Sequence, residues 1–189
     1  DLLISNVFIE NNKSEDAINL VNSNFEITKL NIQNSISDGI DFDFSSGSLT
    51  NSNFSKINGD AIDASGSTIF INKVSIEDVR DKAISAGENS SISINESKFN
   101  KIGVGVASKD GSRVEVLNSI FSNYKLYSIM SYNKKNIYGP SKMIVKNSKF
   151  EKNKLIINQY NNFISVDNIE INESYLNVKD LYQSSTMKK

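Results

Sequence analysis

Residues 69–76 read IFINKVSI, and residues 92–99 read ISINESKF. In both, apolar side chains stand two apart: Ile69/Ile71 and Val74/Ile76 in the first, Ile92/Ile94 in the second, with Ser97/Phe99 closing it. A spacing of two is the period of a strand; a helix would repeat every three to four positions. Each phrase therefore encodes two short strands separated by polar residues, and the same phrase returns after about 23 residues, which marks a structural repeat.

Followed outward, the pattern covers nearly the whole chain. The second pair falls at Val7/Ile9, Leu30/Ile32, Ser52/Phe54, Val74/Ile76, Ser97/Phe99, Ser119/Phe121, Ser148/Phe150 and Ile169/Ile171. Ahead of each copy stands the first pair, from Leu2/Ile4 to Ile164/Val166, and only Gly47 interrupts that column. A third element follows, seen as Ala17-Ile18, Gly39-Ile40, Ala61-Ile62, Ala83-Ile84, Val106-Ala107, Ser128-Ile129 and Ile157-Asn158. Between elements lie turn formers such as Ala64-Ser65-Gly66 and Asp110-Gly111.

A strand this short cannot fold alone, and a repeat of about 22 residues leaves no room for a crossover helix. Winding the repeats into a coil stacks equivalent strands as parallel sheets and buries the apolar columns. The expected fold is all-β: a parallel β-helix of about eight coils over residues 1–172, with a partial last coil and polar tail over 173–189. A β-sandwich also has many short strands, but its strands would not keep register at constant spacing. The chain opens inside a strand column at Leu2 and Ile4 with no polar cap, so further coils upstream, or a partner, are expected there.

Composition narrows the chemistry. The 189 residues carry 21 basic and 22 acidic side chains, which provides no field to attract nucleic acid. With no Cys and no His, thiolate sites, imidazole bases and the commonest zinc ligands are excluded, leaving Asp, Glu, Lys, Arg, Tyr and Ser. No apolar run reaches the roughly 18 residues of a membrane span. The absence of Cys is permissive for a bacterial secreted or cell-surface protein, and that is the localisation expected.

The Ile/Phe/Val columns, the Asn-rich turns, and phrases such as Asn51-Ser52-Asn53-Phe54 and Gly59-Asp60-Ala61-Ile62-Asp63 resemble the right-handed parallel β-helix repeats of the pectin-lyase-like superfamily. The resemblance implies a right-handed solenoid. It leaves activity open, because that superfamily holds lyases, hydrolases, epimerases, adhesins and non-catalytic surface proteins. Ser37-Asp38-Gly39 followed by Gly59-Asp60 is similar to the Asn-Thr-Asp and Gly-Asp-Asp motifs of polygalacturonases, but the second Asp of the latter is Ala61 here and the family's Gly-His-Gly is absent. Glycosidase activity is therefore not carried over.

Two phrases concentrate carboxylates: SDGIDFDF at 37–44 and GDAIDAS at 59–65. With Ile40/Phe42 and Ile62/Ala64 inward, Asp41, Asp43, Asp63 and Ser85 point outward, in a file running Asn19, Asp41, Asp63, Ser85 and then Ser108. Asp38 and Asp60 fall in the turn that feeds the strand. Like charges on rungs about 4.8 Å apart repel, so either one carboxyl keeps its proton or a cation balances them. Asp41, Asp43 and Asp63 are the candidate metal ligands, for calcium, and the pectate-lyase-like resemblance implies calcium with a Lys or Arg base. Asp41, Asp63 and Lys109 form the candidate catalytic set, with Arg80 and Lys82 as further bases. A solvated acidic face is the competing structural explanation.

The coil between Phe121 and Phe150 carries an insertion near 131–140. Insertions in solenoids become loops on one face, often the binding face. Tyr132, Lys134, Lys135 and Tyr138 on this loop, with Asp43 and Ser85, form the candidate substrate-binding set, since aromatic rings and cations suit sugar faces and uronates. Three functions follow: a glycan-binding module, a calcium-assisted lyase or C5-epimerase on an acidic polysaccharide, or a structural scaffold.

Overall fold

The computed structural model describes residues 1–151 and 155–187, and it is a right-handed parallel β-helix with three walls. The first wall stacks eight rungs in register, as in the column Leu2, Phe25, Gly47, Ile69, Ile92, Val114, Met143 and Ile164. Eight rungs enclose about seven full turns, since each turn joins one rung to the next. The expected neighbours Ile71 and Ile94 pair directly and both are fully buried. The second wall carries the Phe column, where Phe99, Phe121 and Phe150 stack at centroid distances of 4.7 and 4.9 Å. The third wall holds the Asp-rich phrases, in strands Asp16–Val21, Asp38–Asp43 and Ile62–Ser65 and in the ends of Ser75–Gly87, Lys98–Lys109 and Ile120–Tyr132.

The corners turn on left-handed residues, mostly one at a time but in the pairs Glu88-Asn89 and Asp110-Gly111 as well. Between the first and second walls these are Asn6, Lys29, Asn51, Lys73, Glu96, Asn118 and Asn147, all with φ between 47 and 55°. Asn tolerates this region better than most side chains, and Asn95 links Asn72 and Asn118 in an amide ladder with 2.9 Å bonds. The Ser positions in the apolar columns are explained by a second ladder. The Ser119 hydroxyl accepts from Ser97 N at 3.2 Å, and Ser97 Oγ accepts from Val74 N at 3.2 Å. A buried hydroxyl is thereby satisfied at the point where the chain bends and its own strand ladder stops.

Gly47, the one break in the first column, lies under the Phe25 ring, whose Cγ would sit 2.7 Å from an added Cβ. Phe25 stacks in turn on Phe42 at 4.5 Å, so the gap in the pattern is filled from the rung below.

The C-terminal part departs from the repeat. An antiparallel pairing of Ser165 with Glu170 ends the first wall, and helix α1, Val178–Gln183, is capped by the Asn177 side chain accepting from Lys179 N at 3.1 Å. Leu181 and Met187 then pack on Val104, Ala107, Met130 and Tyr132 of the third wall. In the stretch expected as a partial last coil and polar tail, α1 stands in place of a coil strand and Leu181 and Met187 form an apolar roof; residues 188 and 189 lie outside the described ones.

Candidate functional site

The third wall sets two outward files. Asn19, Asp41, Asp63 and Ser85 are consecutive partners in one, and the next position is Ala107, not Ser108. Ser108 pairs with Ala86, faces the other way and donates its hydroxyl to Ser112 O at 3.1 Å. The correction is a register effect: a slip of one residue turns a side chain to the opposite face. The second file, two residues along, runs Val21, Asp43, Ser65 and Gly87.

The open part of the wall holds Asp41, Asp43 and Asp63, each partly exposed. Asp41 has its pKa raised to about 7, first by burial and then by the charges of Asp63, Asp43, Asp16 and Asp38. Burial also raises Asp43, with Asp63 and Glu88 adding to it. Asp63 is balanced differently. Its Oδ1 accepts from Ala64 N at 3.0 Å and lies 3.8 Å from the Lys109 ammonium. Lys109 starts two rungs higher and in the other file, and it reaches Asp63 by lying across Gly87, where an added Cβ would sit 2.9 Å from Lys109 Cε. Burial opposes the Lys109 charge, but Asp63, Tyr182 and Asp60 together outweigh it and its pKa is raised.

Beyond Asp63 the wall is roofed. Ser85 is fully buried, as is Tyr132, whose hydroxyl bonds that of Tyr182 at 2.8 Å. The wall therefore offers no continuous groove from Asp41 past Ser85 and Lys109 to the inserted loop, because α1 and the residues after it cover its upper half. What opens to solvent at the seam is a cleft of about 290 Å³, lined by Asp63, Lys82, Lys109, Lys134 and Tyr182 among others.

At the floor of the cleft lies a buried triad. Lys82 Nζ is 2.7 Å from Asp81 Oδ1 and 3.0 Å from Asp60 Oδ1. Burial opposes the ammonium, yet Asp60 and Asp81 together outweigh it and raise its pKa. Burial raises both carboxyls, Asp81 to about 6, because one cation cannot fully balance two buried anions. Asp38 and Asp60 serve the backbone as well: Asp60 N donates to Asp38 Oδ1 at 2.7 Å and Lys82 N to Asp60 Oδ1 at 2.9 Å. Asp60, Asp81 and Tyr182 were not singled out by sequence as site residues. The column Asp38, Asp60, Lys82 was readable from the spacing, but nothing in the repeat places Tyr182.

The inserted loop divides. Lys134 N and Lys135 N both donate to Asp110 Oδ1 at 2.6 Å, which pins the loop. The Lys134 side chain turns into the cleft, its ammonium 4.5 Å from the centre of the Tyr182 ring. Burial lowers its pKa, and Lys109 and Lys82 lower it further. Lys135 and Tyr138 turn away, and both bond the Glu88 carboxylate, Tyr138 at 3.2 Å. Arg80 lies on another face altogether.

The calcium expectation does not fit this geometry. Among the described residues no group of three or more Asp and Glu converges to hold a metal ion. Asp63 is engaged by Lys109 and Ala64 N, so Asp41 and Asp43 lack the third carboxylate that a six- to eight-oxygen shell would build on. No helix among the described residues is long and apolar enough to cross a membrane.

A family profile described as a right-handed beta helix region matches residues 16–171. No curated protein matches the chain.

Proposed function

The chain belongs to the family of right-handed β-helix proteins, and from that premise we propose that it is a polysaccharide-associated module of a bacterial secreted or cell-surface protein, binding a glycan without turnover. The observation that carries this reading is the open stretch of the third wall, where Asp41 and Asp63 are paired in register beside the Lys109 ammonium. Carboxylates on successive rungs accept hydrogen bonds from neighbouring sugar hydroxyls, and charge-assisted bonds of this kind are the strong ones. Asp41, with its pKa near 7, offers either a donor or an acceptor around neutrality. At the upper end the Tyr182 ring and Lys134 border the cleft and supply an apolar face next to a cation.

The sign of the wall selects the sugar. A uronate laid on Asp41, Asp43 and Asp63 would be repelled, whereas a neutral or amino-sugar chain would not. A calcium-assisted lyase or epimerase would require the donor set that these residues do not form. A scaffold role needs no site at all, and it is the reading left if binding fails.

The test is calorimetric titration with neutral, amino-sugar and uronic oligosaccharides. A neutral or amino-sugar oligomer should bind, and replacing Asp41→Asn together with Asp63→Asn should weaken it about tenfold, near 1.4 kcal/mol, with circular dichroism unchanged. Binding that survives the double substitution, or no binding by any oligomer, overturns the proposal.

A further inference from the structure

The cleft at the seam holds one cation that the charge pairing leaves over. Of the three lysines in its lining, Lys82 is held by Asp60 and Asp81, and Lys109 lies 3.8 Å from Asp63. Lys134 forms no salt bridge with any described residue. Its neighbour Lys135 does, with Glu88, so one loop sends two adjacent lysines into different surroundings. Asp110 fixes the backbone of both. The Lys134 ammonium is thus carried to the face of the Tyr182 ring, 4.5 Å from its centre, on a residue that remains exposed. Burial removes part of its water, and the Lys109, Lys82 and Lys135 ammoniums repel its charge; Asp63 favours that charge more weakly, and the pKa is lowered. The free amine is the nucleophilic form, so Lys134 holds a larger reactive fraction than an ordinary surface lysine at any given pH.

We infer that Lys134 is a nucleophilic amine and that the cleft is a covalent site for small aldehydes, which condense with it to an imine. The amine lone pair bonds to the carbonyl carbon, and the carbonyl π pair moves to oxygen, which takes a proton from solvent. The resulting carbinolamine loses that oxygen as water and leaves a C=N bond on Lys134 Nζ. Overall, ammonium and aldehyde give iminium and water, with no oxidant or reductant. The surroundings favour this class of ligand. An iminium keeps the positive charge over the Tyr182 ring, where a cation is attracted, whereas acylation would discharge the nitrogen and lose that contact. A cleft of about 290 Å³ sits at the small end of ligand pockets, which suits an aldehyde of a few carbons and not a polymer. The inference concerns one amine and a small molecule, and it stands independently of the glycan reading above.

The experiment incubates the whole chain with propionaldehyde and cyanoborohydride, which reduces an imine to a stable secondary amine, and follows each lysine by peptide mass mapping. At pH 7.5 Lys134 should be alkylated about tenfold faster than Lys135 and than Lys56, an exposed lysine outside the cleft. In concentrated urea the three rates should converge, because the excess belongs to the folded cleft. Lys109→Met removes one repelling cation and releases Asp63 towards Lys134, so the folded variant should keep an excess of about threefold or less. Should that variant not fold, the comparison of native with urea-unfolded protein decides alone. The inference is overturned if native Lys134 reacts no faster than Lys135 and Lys56, if its excess persists in urea, or if folded Lys109→Met retains the full difference.

Discussion

The third wall is one ladder with two fates. In its lower half the outward residues are Asn19, Asp41 and Asp63, and they meet solvent; in its upper half they are Ser85, Ala107 and Met130, and they meet α1 and the segment that follows it. The backbone pairing is the same in both halves, so the outward side chains alone decide whether the wall is finished by water or by a second layer. The charged residues concentrate where the halves meet. There Lys82, Lys109 and Lys134 face Asp60, Asp63 and Asp81 at the edge of the roof.

The sharpest way to break this division is to remove the cation at the seam. Lys82→Met keeps the length of the side chain but leaves Asp60 and Asp81 buried together, and losing one partner of a buried ion pair costs about 3–5 kcal/mol. Urea denaturation at pH 8 should show that loss, with partial recovery as pH falls, because Asp81, already raised to about 6 beside Lys82, takes up a proton more readily once that cation is gone. A change under about 1 kcal/mol would mean that the triad does not hold the seam.

Leu181→Ala probes the roof. Leu181 is nearly buried against the upper wall, so truncation should cost about 2 kcal/mol, the low end for buried leucine because the layer above it is thin. The effect should be local: faster hydrogen exchange in α1 and easier cleavage of residues 175–187, with the main melting transition of the β-helix moved little. If the whole coil instead unfolds with the roof, the two halves are one cooperative unit and the distinction between them is only geometric.

This contrast also explains what could be read in advance. The neighbours Ile71 and Ile94 and the pair Asp41 and Asp63 were legible because a period of two fixes faces and a period near 22 fixes rungs. Ser108 was misplaced by one residue because the repeat length varies, and the register shifts between Ile102 and Val104 just before it. The roof was not legible at all. Leu181, Tyr182 and Met187 repeat nothing in the coil, and a six-residue helix has too few apolar positions to show a period. For the same reason Tyr132 and Ser85 read as surface residues: their columns point outward, and only a non-repeating segment covers them.

The smallest effect belongs to the open half, and pH reveals it. Burial and neighbouring carboxylates raise Asp41 from 3.8 to about 7, so between these values the folded chain holds a proton that the unfolded chain has lost. Stability from this group is therefore fully present below about pH 4 and declines as pH rises through 7, the reverse of an acid paired with a cation. Asp41→Asn removes the repulsion permanently. The variant should match the wild type near pH 4 and exceed it at pH 8 by about 1 kcal/mol, a figure reduced because solvent screens this partly exposed carboxyl. Thermal melts of both proteins across that range provide the check, and the difference between them cancels titrating groups that do not act on Asp41, Asp81 among them. A gap that stays constant with pH would place the repulsion elsewhere, and the open wall would then be a solvated face that tolerates its charges.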